Sequence, residues 1–265
     1  MGRKLLSTRR KVFSILRMKV EIITLFPGYF DSVVRQSIVG RGLEDKLFEI
    51  RIINLRDYTV DKHRTADDKP FGGGGGMVLK IEPLAGCLRD LGYGEKSLDK
   101  SRIVLTSAAG RLFCQSRAIE YSLLERLTII CGHYLGVDER LLEMFEIDEV
   151  SLGDYVLTGG EPAAAVMLDA VLRLIPGVLG NFESALSDSH SEKILGTPVY
   201  TRPEEYEGLT VPKVLLEGNH RLVEKFRRQE AIRKTFKNRP ELLGNLELDE
   251  DKTFLNRLRQ GKDDE

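Results

Sequence analysis

The sequence predicts an α/β protein with a mainly parallel sheet, followed by a small all-helical C-terminal unit. Three observations predict it. Short apolar runs rich in β-branched residues alternate with stretches of helical spacing up to about Pro176. Glycine-bearing turns close three of the predicted strands. Beyond Pro176-Gly177 the strand signal stops and a basic amphipathic stretch takes over.

Val20 to Phe26 is an apolar run closed by Pro27-Gly28, a buried strand and its turn. Phe30 to Leu47 has apolar residues near helical spacing, and Phe48 to Leu55 alternates as a second strand. Arg56 to Gly76 is polar and ends in glycines, so it reads as a long loop. Glu82 to Leu91 is a predicted helix, Ile103 to Thr106 a strand, Gln115 to Leu124 a helix and Leu127 to Cys131 a strand. Asp138 to Phe145 is a short helix, Tyr155 to Leu157 a short strand, and Pro162 to Leu174 a helix with proline in its first turn. From about Gly180 to Leu209 no strand pattern is visible, and a linker is expected there. Asn219 to Phe236 is a basic amphipathic helix, and the last 20 residues form one more.

Composition sets the class. The chain has 265 residues, 42% apolar and 31% charged, with a formal net charge of -1. A polyanionic partner must therefore meet a local basic patch rather than a global field. Three cysteines without a CxxC pair argue against a disulfide framework or zinc site, so no metal ligands are assigned and a reduced, cytoplasmic setting is expected. No apolar stretch reaches the roughly 18 residues of a membrane span. Residues 1–17 carry Arg3, Lys4, Arg9, Arg10, Lys11 and Arg17 without an acid. They read as a basic N-terminal extension before a start at Met18, with a targeting segment as the alternative.

The glycine turns are Thr106 to Arg111, Cys131 to Gly136 and Leu152 to Gly160. In parallel sheets ligands bind beyond the carboxyl ends of strands, and glycine lets the backbone approach a flat ligand closely. These turns are a candidate nucleoside cradle; plain chain reversal is the other reading. Gly72 to Gly76 is not followed by Lys-Ser/Thr, and no G-x-G-x-x-G joins a strand to a helix, so two familiar phosphate motifs are excluded. The mixed-charge loop Arg56 to Lys69 offers cations for phosphate and carboxylates for guanine N–H donors, or is simply a solvated loop.

Taken together, the motifs resemble the TrmD-type tRNA (guanine-N1)-methyltransferases of the SPOUT class. The resemblance rests on Ile23 to Pro27, Leu55 to Thr59, Asp61 to Asp68, Phe71 to Met77, Gly136 to Arg140, Gly153 to Glu161, Arg173 to Leu179, Tyr200 to Pro203, Val211 to Leu216 and Arg239 to Leu243. It spans about Met18 to Leu243.

The resemblance implies a SPOUT-type parallel sheet with a trefoil knot over residues 18–179, a linker at 180–188 and a helical tRNA-binding domain over 189–265. It implies a homodimer acting on tRNA with guanosine at positions 36 and 37, away from any membrane. S-adenosylmethionine is the implied cofactor, and a role for Mg2+ is left open. The implied cofactor residues are Thr106, Ser107, Gly110, Gly132, Tyr134, Leu135, Gly136, Leu152, Gly153, Asp154, Tyr155, Val156, Leu157, Gly159 and Gly160. The implied catalytic pair is Asp188, removing the proton from guanine N1, and Arg173, meeting the charge that builds on O6. RNA contacts are expected from His63, Arg64, Asp67, Arg227 and Arg228. The chain departs from the usual pattern at Ala108-Ala109, His133, Leu135, Gly196 and Glu217. The acids usual at 135 and 196 would have partnered the cofactor's ammonium group or a metal. A SPOUT enzyme with a shifted RNA target and a non-catalytic RNA-binding relative are the competing readings.

Overall fold

The computed structural model of the chain describes residues 17–94, 99–180, 189–190 and 194–262. The chain divides into two compact units, the first ending at Gly180 and the second beginning at residue 181.

The first unit is built on five parallel strands in the order β2-β1-β6-β5-β7. They are β1 (Met18–Thr24), β2 (Phe48–Asn54), β5 (Ser101–Leu112), β6 (Arg126–Cys131) and β7 (Ile147–Ser151). A two-residue ladder pairs β3 (Asp67–Asp68) with β4 (Val78–Leu79). The central strands are apolar on both faces because helices cover both. On one face Val20, Ile22, Leu127 and Ile129 pack with α1 (Ser37–Glu44), α3 (Gln115–Ser122) and α5 (Glu161–Leu172). On the other, Ile23, Ile103 and Ile130 pack with α2 (Ile81–Asp90) and α4 (Arg140–Met144).

Two expected elements need correction. Phe30 to Leu47 is not one helix: a 3-10 turn covers Pro27–Phe30, and α1 begins only at Ser37, whose φ of +56° no helix continues through. Tyr155 to Leu157 is not a strand; the fifth strand is β7, four residues upstream of Tyr155. In addition, β5 continues to Leu112, its pairing with β7 shifting register between Thr106 and Arg111.

The second unit holds α6 (His220–Asn238), a 3-10 segment (Pro240–Asn245) and α7 (Asp249–Arg259). The Asn219 side chain caps α6 by accepting from the Leu222 amide at 3.3 Å. Ile194, Ile232, Leu243, Phe254 and Leu255 form its core. It departs from an all-helical unit by one small ladder, β8 (Glu205–Tyr206) with β9 (Leu209–Thr210). Among the described residues no helix is long and apolar enough to cross a membrane.

Candidate active site

The carboxyl ends of β6 and β7 release two glycine loops, and these converge with the middle of β5 on one cavity of about 360 Å³. The expected turn Thr106 to Arg111 is not a turn but the stretch of β5 where its pairing with β7 shifts register. All three segments carry the glycines singled out in the sequence. Thr106 and Ser107 come from the first, Gly132, Tyr134, Leu135 and Gly136 from the second, and Leu152, Gly153, Tyr155, Val156, Leu157, Gly159 and Gly160 from the third. Gly110 and Asp154, expected with them, do not line it. Gly110 lies further along β5, where a Cβ would clash with the backbone of Glu149 and Val150, so its glycine serves strand pairing. Asp154 is exposed.

The second and third loops are held together by backbone. The Gly160 amide donates to the Gly132 carbonyl at 2.7 Å, and the Gly132 amide donates to Thr106 Oγ1 at 3.0 Å. A Cβ on Gly160 would lie 2.6 Å from the Gly132 nitrogen and closer still to Thr106 Oγ1. Only glycine permits this crossing. Tyr134 and Gly136 turn the second loop with φ of +59° and +123°. The Leu135 amide donates to the Met77 carbonyl at 3.0 Å, which ties that loop to the end of the glycine run.

A polar cluster lies behind the loops. Glu161, at the first position of α5, is 4% exposed and accepts from Thr24 Oγ1 at 2.6 Å. The amino terminus of the helix favours its negative charge. Burial, and then the nearby Glu161 carboxylate, push the Cys131 thiol well above its ordinary value. His133 stands between Phe26 and Tyr134, with ring centroids at 5.2 and 4.3 Å. Its Nδ1 is buried and has no hydrogen-bond partner among the described residues. A Cβ on Gly159 would meet His133 Nδ1 and Glu161 Oε2, each at 2.6 Å, so the glycine leaves room for imidazole and carboxylate to face one another.

Two cavity carboxylates, Glu139 and Glu149, were not singled out from sequence. Glu149 lies on the missed strand β7, whereas Glu139 was visible in the run Gly136 to Arg140. Thr24 and Glu161 are 137 positions apart, and no sequence signal joins them.

The other expected residues are dispersed. Arg173 is the C-cap of α5, at the end of the helix away from the cavity. Asp188 lies outside the described residues. His63 and Arg64 are exposed on a turn organised by Asp61, which accepts from the His63 and Thr65 amides at 3.1 and 3.0 Å. Arg64 pairs with Asp57. Asp67 is half-buried in β3. In the second unit Arg227 is exposed, whereas Arg228 binds the buried Asp251 at 2.7 Å and so ties α6 to α7. Among the described residues no three His, Cys, Asp or Glu side chains gather as metal ligands.

A family model described as tRNA (Guanine-1)-methyltransferase TrmD matches residues 18–245. A tRNA (guanine-N(1)-)-methyltransferase of Geotalea uraniireducens is 47% identical over 244 residues, covering 92% of this chain and 98% of the relative. The protein of that name from Limosilactobacillus fermentum is 46% identical over 239 residues, 90% of this chain and 94% of its own. One from Bacillus cereus is 45% identical over 246 residues, 92% of this chain and all of its own.

Proposed function

This chain belongs to the TrmD family of tRNA (guanine-1)-methyltransferases, and from that premise we propose that it methylates N1 of guanosine 37 in tRNA. That base lies beside the anticodon and follows a guanosine at 36. The observation that carries the reading is the convergence of two glycine loops and the register shift of β5 on one cavity at the carboxyl ends of β6 and β7, where parallel sheets bind ligands.

The cavity fits S-adenosylmethionine. Its volume lies within the range of small-molecule sites, and its walls combine apolar side chains with backbone at positions where a Cβ would intrude. Gly132, Leu152, Tyr155 and Leu157 would hold the nucleoside part. Glu139 and Glu149 are the lining carboxylates available to an ammonium group, in place of an acid at 135. When bound, the cofactor supplies a methyl group already activated by its sulfonium.

The protein's own task is then at the base. Guanine N1 carries a proton at neutral pH, and Asp188 takes it as the methyl arrives. The negative charge that follows on O6 is met by the Arg173 guanidinium. From Ala163, where α5 meets the cavity, to Arg173 the helix rises about 15 Å, beyond the reach of a side chain. This distance supports a homodimer in which Arg173 of one copy serves the cavity of the other.

The remaining assignments follow the same reading. The first unit is a knotted methyltransferase domain, a trefoil supported by the strand order and by the close crossing of Gly160 with Gly132. Residues 180–188 link it to a tRNA-binding domain, residues 1–17 are a basic extension, and the protein works in the cytoplasm. His63, Arg64, Asp67 and Arg227 contact RNA. Arg228, engaged with Asp251, acts from within the fold. Mg2+ is assigned no site; turnover with and without chelator measures its contribution.

Primer extension on tRNA treated with the protein and S-adenosylmethionine should stop at position 37, because N1-methylguanine blocks the Watson–Crick edge. No new stop sinks the reading, and nucleoside mass spectrometry would then identify any other target. Asp188→Asn should keep cofactor binding and lose about 10²–10⁴-fold in turnover. Near-normal turnover removes Asp188 as the base.

A further inference from the structure

The second unit contains a groove of about 860 Å³, of whose lining the assignments above use only Arg227. One wall is the stretch from Gly196 to Arg202, and the other includes Val211, Leu215 and Leu216. The floor is α6, through Val223, Arg227 and Lys234. The first wall is fastened to the floor: the Leu195 amide donates to Thr235 Oγ1 at 2.9 Å, and that hydroxyl, fully buried, donates to the Ala231 carbonyl at 2.6 Å.

The groove carries a net positive charge. Arg228, Arg233 and Arg239 are paired with Asp251, Glu230 and Glu241. Arg202, Arg227 and Lys234 make no ion pair among the described residues, and all three line the groove, against the single carboxylate of Glu204. Beside them Tyr200 is 49% exposed and Val199 is 88% exposed. Cations next to an accessible ring and aliphatic wall match a ligand with both a phosphate and a flat apolar face. A double helix offers only its phosphates to such a groove, whereas an unpaired nucleotide offers both.

We propose that this groove binds one unpaired nucleotide of the substrate RNA, with its phosphate at Arg202, Arg227 and Lys234 and its base against the Tyr200 ring. The proposal rests on the RNA-methyltransferase reading and deepens it by naming which groove of the second unit takes RNA and what part of the RNA enters it.

The test uses the full chain with S-adenosylmethionine, a labelled anticodon stem-loop, and a duplex of the stem alone. Arg202→Ala, Arg227→Ala and Lys234→Ala should each lower the salt dependence of stem-loop binding by roughly 0.7–1 in log–log slope. Arg227→Lys should keep it. Tyr200→Ala should weaken stem-loop binding about fivefold or more, as loss of a stacked base does. It should leave duplex binding unchanged, and Tyr200→Phe should restore the loss. Unchanged slopes, or equal losses on duplex and stem-loop, overturn the proposal. So does a shift in oligomeric state by sedimentation with RNA affinity intact, since the groove then seats protein. The two readings fail separately. A chain that shows these dependences but leaves N1 unmethylated loses the methyl-transfer reading and keeps the groove. One that methylates with indifferent groove variants does the reverse.

Discussion

The two ends of the central sheet are finished in opposite ways. At the amino end, side chains satisfy one another. Glu21 takes two hydrogen bonds from Arg126, at 2.6 and 2.8 Å, and a third from Thr128 at 2.8 Å. Arg126 also donates to the Leu91 carbonyl at 2.6 Å and lies over the Tyr93 ring. At the carboxyl end β6 and β7 run out into glycine loops that, with β5, surround a cavity. The first end commits Glu21, Arg126 and Thr128 to one another. The second keeps backbone groups and space. Stability and chemistry are therefore separated along the strand direction, and substitutions at the two ends should separate them too.

The largest effect is expected at the amino end. Glu21→Ala leaves Arg126 without its carboxylate in a largely buried setting, and breaking such a pair costs about 3–5 kcal/mol. The urea midpoint should fall accordingly while the calorimetric Kd for S-adenosylmethionine stays as in the wild type. A parallel loss of cofactor affinity would break the comparison. At the carboxyl end Gly160→Ala drives a methyl into Thr106 and Gly132. Overpacking of this kind costs about 1–3 kcal/mol, less than the first change, yet cofactor binding should be lost from the titration. Retained binding would show that the crossing of the loops does not shape the cavity.

The smallest effect sharpens the comparison with pH. Burial pushes the Cys87 thiol up to about 12 and raises Cys131 as well, from an ordinary value of 9.0. Burial likewise pushes the Tyr121 phenol up to about 12. The unfolded chain ionises these groups first. Their contribution is whole below pH 9 and disappears as pH rises toward 12, so urea midpoints should fall across that window. Cys114 differs, its thiol being lowered chiefly by the Ser116 hydroxyl. Iodoacetamide at pH 8 should label Cys114 in the folded protein and reach Cys87 and Cys131 only after unfolding. Early labelling of Cys131 would mean that the carboxyl end opens.

Much of this was legible from residue patterns, and the misreadings have physical causes. The buried strands β1, β5 and β6 stood out because helices cover both faces and each carries an unbroken apolar run, Ile22-Ile23, Ile103 to Leu105 and Ile129 to Cys131. The edge strand β7 did not, because Asp148 and Glu149 interrupt its apolar run. Tyr155, Val156 and Leu157 imitated a strand because apolar residues signal core by default. Here they are 55%, 86% and 40% exposed and line the cavity. The basic helix was read correctly as basic, but only packing divides its charge: Arg228 turns to Asp251 while Arg227 and Lys234 line the groove. Two of the cavity segments were visible as glycine turns after strands, whereas the third lies inside β5. Their convergence depends on a crossing of Gly160 and Gly132 that no local pattern encodes.

That crossing bears on how the protein drifts over generations. Glycines equivalent on paper fall into distinct grades of tolerance. Gly75 has open space around it and an ordinary φ, and accepts any side chain at little cost. Gly72, Gly73 and Gly74 also face open space, but their φ of +85°, +81° and +103° admits Asn or Asp before other residues. Gly160 and Gly132 have no space at all, because a Cβ on either would meet backbone, that of Gly132 in the first case and that of Thr106 in the second. Lineages descending from this chain should therefore vary in the glycine run and hold Gly132 and Gly160 fixed as a pair.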